Sequence, residues 1–253
     1  MQTVTIGKPP QPAQQLFESP GYFRGIAFSD GELDTVRRMI RAKWLSRLVS
    51  ARPDKKALFE QLPIERYHEV SGLINHATAW GKGSRLFSPE EVVQLRGMSL
   101  FDRIEDALGP FDVADIEGLG YPEIYWRLIR PDAADDVAGA HTDEWFYTYT
   151  NNLNPRQQAG LVKVWIAVHV DPGLSGLSVV PDSHLRDWPN HAEMRHGRPK
   201  PVLDVDQNTL NLVNVDTRPG EAVLFHIRLL HAGIAHTGTR CRISMECAIR
   251  LRK

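Results

Sequence analysis

Apolar residues recur at helical spacing in the first half of the chain and at strand spacing in the second. Leu33, Val36, Ile40, Trp44 and Leu48 return every three or four positions, the stripe of an amphipathic helix. The preceding Ser29-Asp30-Gly31-Glu32 has the S-x-x-E form of a capping box. Ser88-Pro89-Glu90-Glu91 repeats that start signal, with proline at the first helical position, ahead of Val92, Leu95 and Met98. Between them, Ile64 to Trp80 reads as a weaker amphipathic helix interrupted at Gly72. From Tyr121 the texture changes. Glu123 to Ile129, Leu161 to Val170, Leu177 to Val180, Ala222 to Phe225 and Arg242 to Ile249 are short runs rich in branched and aromatic residues, and each predicts a strand. Clusters such as Asp171-Pro172-Gly173 and Arg218-Pro219-Gly220 punctuate them.

Helices first and many short strands after predict one mainly β domain, a sandwich or barrel with an N-terminal helical layer. We expect residues 1–20 to be extended or mobile, 21–110 to form the helix-rich support and 121–253 to form the β core. The lack of βαβ alternation and of a Gly-rich phosphate loop argues against a doubly wound nucleotide-binding fold. Two polar stretches, Thr148 to Gln158 and Arg186 to Asn208, read as long connections of the kind that often form lids or binding loops.

Hydrophobic content of 42% and charged content of 24% suit a soluble globular protein. Thirty basic residues against 31 acidic ones favour neither nucleic acid nor an anionic membrane as partner. No apolar run approaches the roughly 20 residues that span a bilayer. The opening Met1-Gln2-Thr3-Val4 lacks the basic and apolar regions of a signal peptide. Cys241 and Cys247 lie six apart in one predicted strand; at roughly 3.3 Å per residue their Cα atoms stand about 20 Å apart, beyond disulfide reach. A reduced, cytoplasmic setting is the expectation, and no oligomeric state can be read.

The chemistry concentrates in His141-Thr142-Asp143 and in His231, ninety positions on. On an extended strand His141 and Asp143 would share a face. Two imidazoles and one carboxylate on one side of a metal suit a non-haem Fe(II) centre with open positions. A lone His-x-Asp is weak, and His226 and His236 rival His231 as the third donor. Arg242-Ile243-Ser244 strengthens the case, because a guanidinium and a hydroxyl on one strand face match the far carboxylate of a dicarboxylate. Arg240 competes with Arg242 for that carboxylate. Tyr125 and Arg127 alternate with Trp126, so both are expected to face the barrel interior. There Arg127 would meet the cosubstrate, an anionic substrate group or a buried acid. By strand parity Trp145 would share the face of Asp143, toward substrate or as a core aromatic. His169 and His184 read as structural.

The chain resembles the phytanoyl-CoA dioxygenase-like branch of the Fe(II)/2-oxoglutarate-dependent dioxygenases. The likeness rests on His141-Thr-Asp143, Trp165-Ile-Ala, Gly176-Leu-Ser-Val-Val-Pro181-Asp-Ser-His184, Pro219-Gly-Glu-Ala-Val-Leu-Phe-His226, His231 and Arg242-Ile-Ser244. With the opening Gly21-Tyr22-Phe23 it spans roughly residues 20 to 250. The resemblance implies a double-stranded β-helix, a cupin-like jelly-roll. It also implies His141, Asp143 and His231 as iron ligands, Arg242 with Ser244 on the distal carboxylate of 2-oxoglutarate, and Trp165 lining the cosubstrate pocket. The implied reaction oxidises a small organic molecule, by hydroxylation or otherwise, while 2-oxoglutarate and O2 become succinate and CO2. Asp182 stands where a glycine is common, and His169 where an acidic or apolar residue is common; neither touches the implied ligands. Retention of Asp143 goes against a halogenase. The alternative keeps the three ligands without 2-oxoglutarate, as a cupin-like metal-dependent isomerase, lyase or hydrolase, which would not need Arg242 and Ser244.

Overall fold

The computed structural model describes residues 11–195, 197–234 and 236–252. Its helices are α1 (Pro12–Phe17), α2 (Asp30–Ala51), α3 (Lys56–Gln61), α4 (His76–Ala79), α5 (Pro89–Arg96), α6 (Ser99–Leu108), α7 (Asp143–Tyr149) and α8 (Pro155–Gln158). Its strands are β1 (Tyr22–Ala27), β2 (Phe111–Val113), β3 (Ile124–Ile129), β4 (Leu161–His169), β5 (Leu177–Val179), β6 (Asn190–Arg195), β7 (Arg198–Leu203), β8 (Val213–Val215), β9 (Glu221–His226), β10 (His231–Gly233) and β11 (Arg242–Leu251).

The capping-box signals act as their sequences imply. Ser29 accepts from Glu32 N at the start of α2, and Ser88 accepts from Glu91 N at the start of α5. The predicted stripe of α2 is its buried face, Leu33, Val36, Ile40, Trp44 and Leu48. That face packs on the outer side of the main sheet, ordered β1-β9-β4-β11, with β11 pairing both β2 and β3, all antiparallel. A smaller antiparallel sheet, β10-β5-β8, covers the inner side. The result is the mainly β, cupin-like jelly-roll with a helical jacket.

Strand period two sorts the main sheet cleanly. Val162, Val164, Ile166 and Val168 of β4 join Ile243, Met245, Cys247 and Ile249 of β11 in the core shared with the helices. The alternate residues face inward. Trp165 and Ala167 pack there with Leu177, Val179, Val215, Val223 and Phe225 between the two sheets. Lys163, Arg242, Ser244 and Glu246 have the same inward parity and are buried. Both cysteines are buried and free.

The structure corrects several expectations. Within residues 1–20, expected to be extended or mobile, Pro12–Phe17 forms α1; residues 1–10 lie outside the described residues. Ile64 to Trp80 is two 3₁₀ turns, Ile64–Glu69 and Ser71–Leu73, and the short α4, because Gly72 and Asn75 break the periodic run. Thr148 to Gln158 includes the end of α7 and all of α8, which Asn154 caps. Arg186 to Asn208 is largely the β6–β7 hairpin, paired from Asn190↔Leu203 to Arg195↔Arg198.

Candidate active site

The His141-Thr142-Asp143 segment is a strand-to-helix junction and not a continuous strand. His141 forms an isolated antiparallel bridge with His231, donating N–H to its carbonyl at 3.0 Å and accepting its N–H at 2.9 Å. Directly paired residues project to one side of a ladder, so the two imidazoles face each other with ring centres 4.4 Å apart. Thr142 then caps α7 through Oγ1, which accepts from Trp145 N at 3.3 Å. Asp143 is the first residue of that helix, and the turn swings its carboxylate back toward the bridge: Oδ2 lies 3.7 Å from His231 Nε2. Strand parity therefore fails for Trp145. It sits in a separate buried cluster with Val180, Leu203 and Leu230, while Phe146 and Tyr147 line the cavity beside the site.

Each imidazole has its ring orientation fixed by a backbone carbonyl two residues before it. His141 Nδ1 lies 2.7 Å from the Gly139 carbonyl and His231 Nδ1 lies 3.0 Å from that of Leu229. With these Nδ1–H groups donating, both Nε2 lone pairs are left for a metal. Burial depresses the pKa of both rings, His141 to about 3 with the neighbouring His231 adding to the effect. Both are thus neutral and ligand-ready at physiological pH. Among the described residues no His, Cys, Asp or Glu trio is gathered into a tight cluster. Two donors side by side on a metal with bonds of about 2.1 Å stand about 3 Å apart, slightly closer than Asp143 Oδ2 and His231 Nε2 do.

Arg242 and Ser244 lie on the inner face of β11, fully walled by protein. Ser244 pairs in register with Arg127 of β3 on one side and Ala167 of β4 on the other. The Arg242 guanidinium stands 5.7 Å from the Trp165 ring centre and donates to the Gly176 carbonyl. Burial lowers its pKa to about 10, leaving it charged. Its Nε and Ser244 Oγ are buried without a hydrogen-bond partner, and so is Asp143 Oδ2. Unsatisfied buried polar atoms are uncommon and costly. Three in one region, one anionic acceptor and two donors, fit a cation on the carboxylate side and a carboxylate-bearing ligand on the guanidinium side.

Tyr125 and Arg127 face inward as expected, with Trp126 turned to the helical core. Both are tied to Glu246: Tyr125 Oη donates to it at 2.9 Å, and Arg127 Nε pairs with it at 2.8 Å. Lys163 completes the network. Its ammonium reaches Tyr125 Oη at 3.0 Å, Glu246 at 3.3 Å and Asp143 Oδ1 at 3.6 Å. Burial alone would push the Lys163 pKa down, but Asp143 and the Tyr125 hydroxyl outweigh it and the group stays protonated. Burial alone would raise the Glu246 carboxyl; Arg127 and Lys163 outweigh it and hold it low. Lys163 and Glu246 escaped the sequence reading. A charge at an inward position of the apolar run Leu161-Val-Lys-Val-Trp was the available signal.

The rival residues lie elsewhere. His226 packs on His184 and Phe17, His236 bonds the Arg240 carbonyl, and Arg240 pairs with Asp171 at the surface. His169 pairs with Glu65 at 3.0 Å.

Residues 21–244 match the family model described as phytanoyl-CoA dioxygenase (PhyH). The chain belongs to this family. It is thereby an enzyme of the non-haem Fe(II)/2-oxoglutarate-dependent oxygenase kind, and membership does not favour the isomerase, lyase or hydrolase alternative. No curated protein matches the sequence. Among solved structures the fold is similar to the non-heme monooxygenase ThoJ, at TM-score 0.58 and 14% identity over 94% of this chain and 76% of that one. It is similar to EctD from S. alaskensis, solved with 2-oxoglutarate and 5-hydroxyectoine, at TM-score 0.57 and 14% identity over 98% and 79%. The alpha-ketoglutarate-dependent carbocyclase SnoK from nogalamycin biosynthesis gives TM-score 0.54 and 18% identity over 97% and 87%. At these identities the likeness speaks for the fold. Among the described residues no helix is long and apolar enough to cross a membrane.

Proposed function

We propose that this chain oxidises a small organic molecule with O2 and 2-oxoglutarate, holding Fe(II) on His141 Nε2, Asp143 Oδ2 and His231 Nε2. Arg242 and Ser244 take the distal carboxylate of 2-oxoglutarate, with Trp165 beside the guanidinium. The observation that carries this reading is the trio of buried, unpartnered atoms Asp143 Oδ2, Arg242 Nε and Ser244 Oγ around two neutral imidazoles. Iron with its cosubstrate supplies the oxidising power when bound.

The chain's own residues prepare the site. Gly139 and Leu229 fix the tautomers of the two imidazoles. Lys163 engages Asp143 Oδ1 and leaves Oδ2 free toward the rings. The buried Arg242 discriminates for a dicarboxylate of the right length, since a shorter acid leaves the guanidinium unpaired. The substrate enters the cavity of about 520 Å³ walled by His141, Asp143, Phe146, Tyr125 and Arg127. The two free buried cysteines suit a reducing, cytoplasmic setting.

Anaerobic titration of the purified protein with Fe(II) and 2-oxoglutarate tests the assignment. We expect stoichiometric metal binding, the visible charge-transfer band of metal-bound 2-oxoglutarate, and succinate release once O2 is admitted. His231→Ala should lose the band. Arg242→Met should keep metal binding while weakening 2-oxoglutarate at least about tenfold, the cost of one charge-assisted contact. Wild-type protein that binds Fe(II) but not 2-oxoglutarate would sink the reading.

A further inference from the structure

We propose that the substrate carries an anionic group, a carboxylate or a phosphate, gripped by Lys200 and Arg198 of the β6–β7 hairpin at the mouth of the cavity in front of His141. This rests on the oxygenase reading above and names the substrate class of that site.

The cavity lining carries seven Lys and Arg side chains against five carboxylates. Its inner acids already have cations: Glu117 and Glu123 share Lys82 at 2.6 and 2.5 Å, and Asp136 pairs with Arg130 at 2.8 Å. Asp143 and Glu246 are met by Lys163 and Arg127. The remaining wall carboxylate, Asp135, is exposed. To this wall, whose further cation Arg85 bonds the Trp80 and Trp126 carbonyls, the hairpin adds Arg195, Arg198 and Lys200. Arg195 is taken by its neighbour Glu193 at 2.6 Å. Among the described residues neither Arg198 nor Lys200 has an acidic side chain within ion-pair distance.

Lys200 is the better placed of the two. It is half-buried, and its ammonium stands 5.4 Å from the Phe146 ring centre. That ring meets His141 edge-on, with centres 4.9 Å apart. An anion on Lys200 would therefore hold the rest of a small molecule directly before the proposed metal ligand. Burial lowers the Lys200 pKa, and Arg198, Arg127 and Lys82 push it the same way against the opposing charge of Glu117. Lys200 and Arg198 thus face the cavity among other cations with no carboxylate paired to either of them, an arrangement that suits an anionic ligand. Arg127 adds to the field, since 40% of its side chain is solvent-accessible although protein surrounds it, so its free edge opens into the cavity.

The hairpin is also anchored to the helix that carries Asp143. Thr150 Oγ1, just past α7, donates to the Pro199 carbonyl at 2.9 Å, and Tyr149 Oη donates to Asn190 at 2.7 Å. The anion grip and the proposed metal centre are thus built on one braced unit, as precise positioning of a C–H bond requires.

Calorimetric titration of the Ni(II)- and 2-oxoglutarate-loaded protein with hexanoate, hexyl phosphate, hexanamide and hexylamine tests this. We expect at least one anion to bind about tenfold or more tighter than hexanamide, with hexylamine weakest. The stronger of hexanoate and hexyl phosphate tells carboxylate from phosphate. Lys200→Gln should abolish the preference, Lys200→Arg retain it and Lys200→Glu turn it toward hexylamine; Arg198→Gln provides the same reading should the Lys200 variants not fold. Equal binding of hexanamide and the anions, no binding of either anion, or an undiminished preference in both charge-removed variants overturns the proposal. Binding is read without turnover. Loss of 2-oxoglutarate-dependent chemistry with the anion preference intact would overturn the oxygenase reading alone.

Discussion

Lys163 is the residue on which the electrostatics of the site turn. A buried ammonium between two buried carboxylates is tolerable only while all three remain charged and paired. Its contact with Asp143 Oδ1 leaves Oδ2 turned toward His231, and its contact with Glu246 lets that acid hold Arg127 and Tyr125. Lys163→Met should therefore cost about 3 kcal/mol in urea unfolding, because it strands a buried negative charge. The same variant should weaken metal binding in titrations that require no turnover. Lys163→Met combined with Glu246→Gln should recover much of the stability, whereas additive losses would show that the two groups act separately. Arg127 illustrates the same logic: the sequence left it between substrate, cosubstrate and a buried acid, and it is bound to Glu246 with one edge still open to the cavity.

At the scale of elements, the junction from the His141–His231 bridge into α7 brings the three candidate donors together. A strand continued through Asp143 would have kept the carboxylate level with His141 by parity; the helical turn instead folds it back toward His231. Thr142 is the pivot, buried and capping α7. Thr142→Ala should cost about 1 kcal/mol in unfolding free energy and also reduce metal affinity. Thr142→Ser, which preserves the cap, should leave metal affinity close to wild type. A stability loss without any change in metal binding would mean that α7 holds Asp143 by packing alone. The capping boxes at Ser29 and Ser88 were legible because their side chains act within four residues. The cap at Thr142 was masked by the alternating pattern of His-x-Asp-x-Trp, which fits a strand equally well.

Across the whole molecule, the helical jacket and the sheet are joined by apolar burial along β4 and β11 and by a polar tie at one end. Glu65, in the 3₁₀ turn Ile64–Glu69, bonds His169 at the end of β4 and accepts the Cys241 backbone N–H ahead of β11. The bond from His169 holds the Glu65 carboxyl down to about 2 against an ordinary value of 4.5. A depressed carboxyl contributes stability that is whole above pH 4.5 and is lost as the pH falls toward 2. The group is partly solvated, so screening limits the effect to about 1 kcal/mol. Urea unfolding followed from pH 6 to 2 should show wild type losing that increment below pH 4.5, and His169→Ala should flatten the profile over the same window. An unchanged slope in the variant would assign the acid sensitivity to other carboxylates, Asp136 first among them.

The chain's own order of residues determined the class of fold, the helical face of α2, the inward face of β11 and the candidate donors. These are local properties, periodicity, capping and spacing, that a linear reading captures. Tertiary structure decided what depends on meetings between distant segments. It brought His141 level with His231, turned Asp143 toward them and supplied the Gly139 and Leu229 carbonyls that orient the rings. It also set Lys163 against Asp143 and Glu246, and made a paired hairpin of the stretch expected to be a loop. Backbone carbonyls carry no residue signature, and long-range pairing of β-strands is fixed by packing across the sheet. Those features become visible only once the chain has folded.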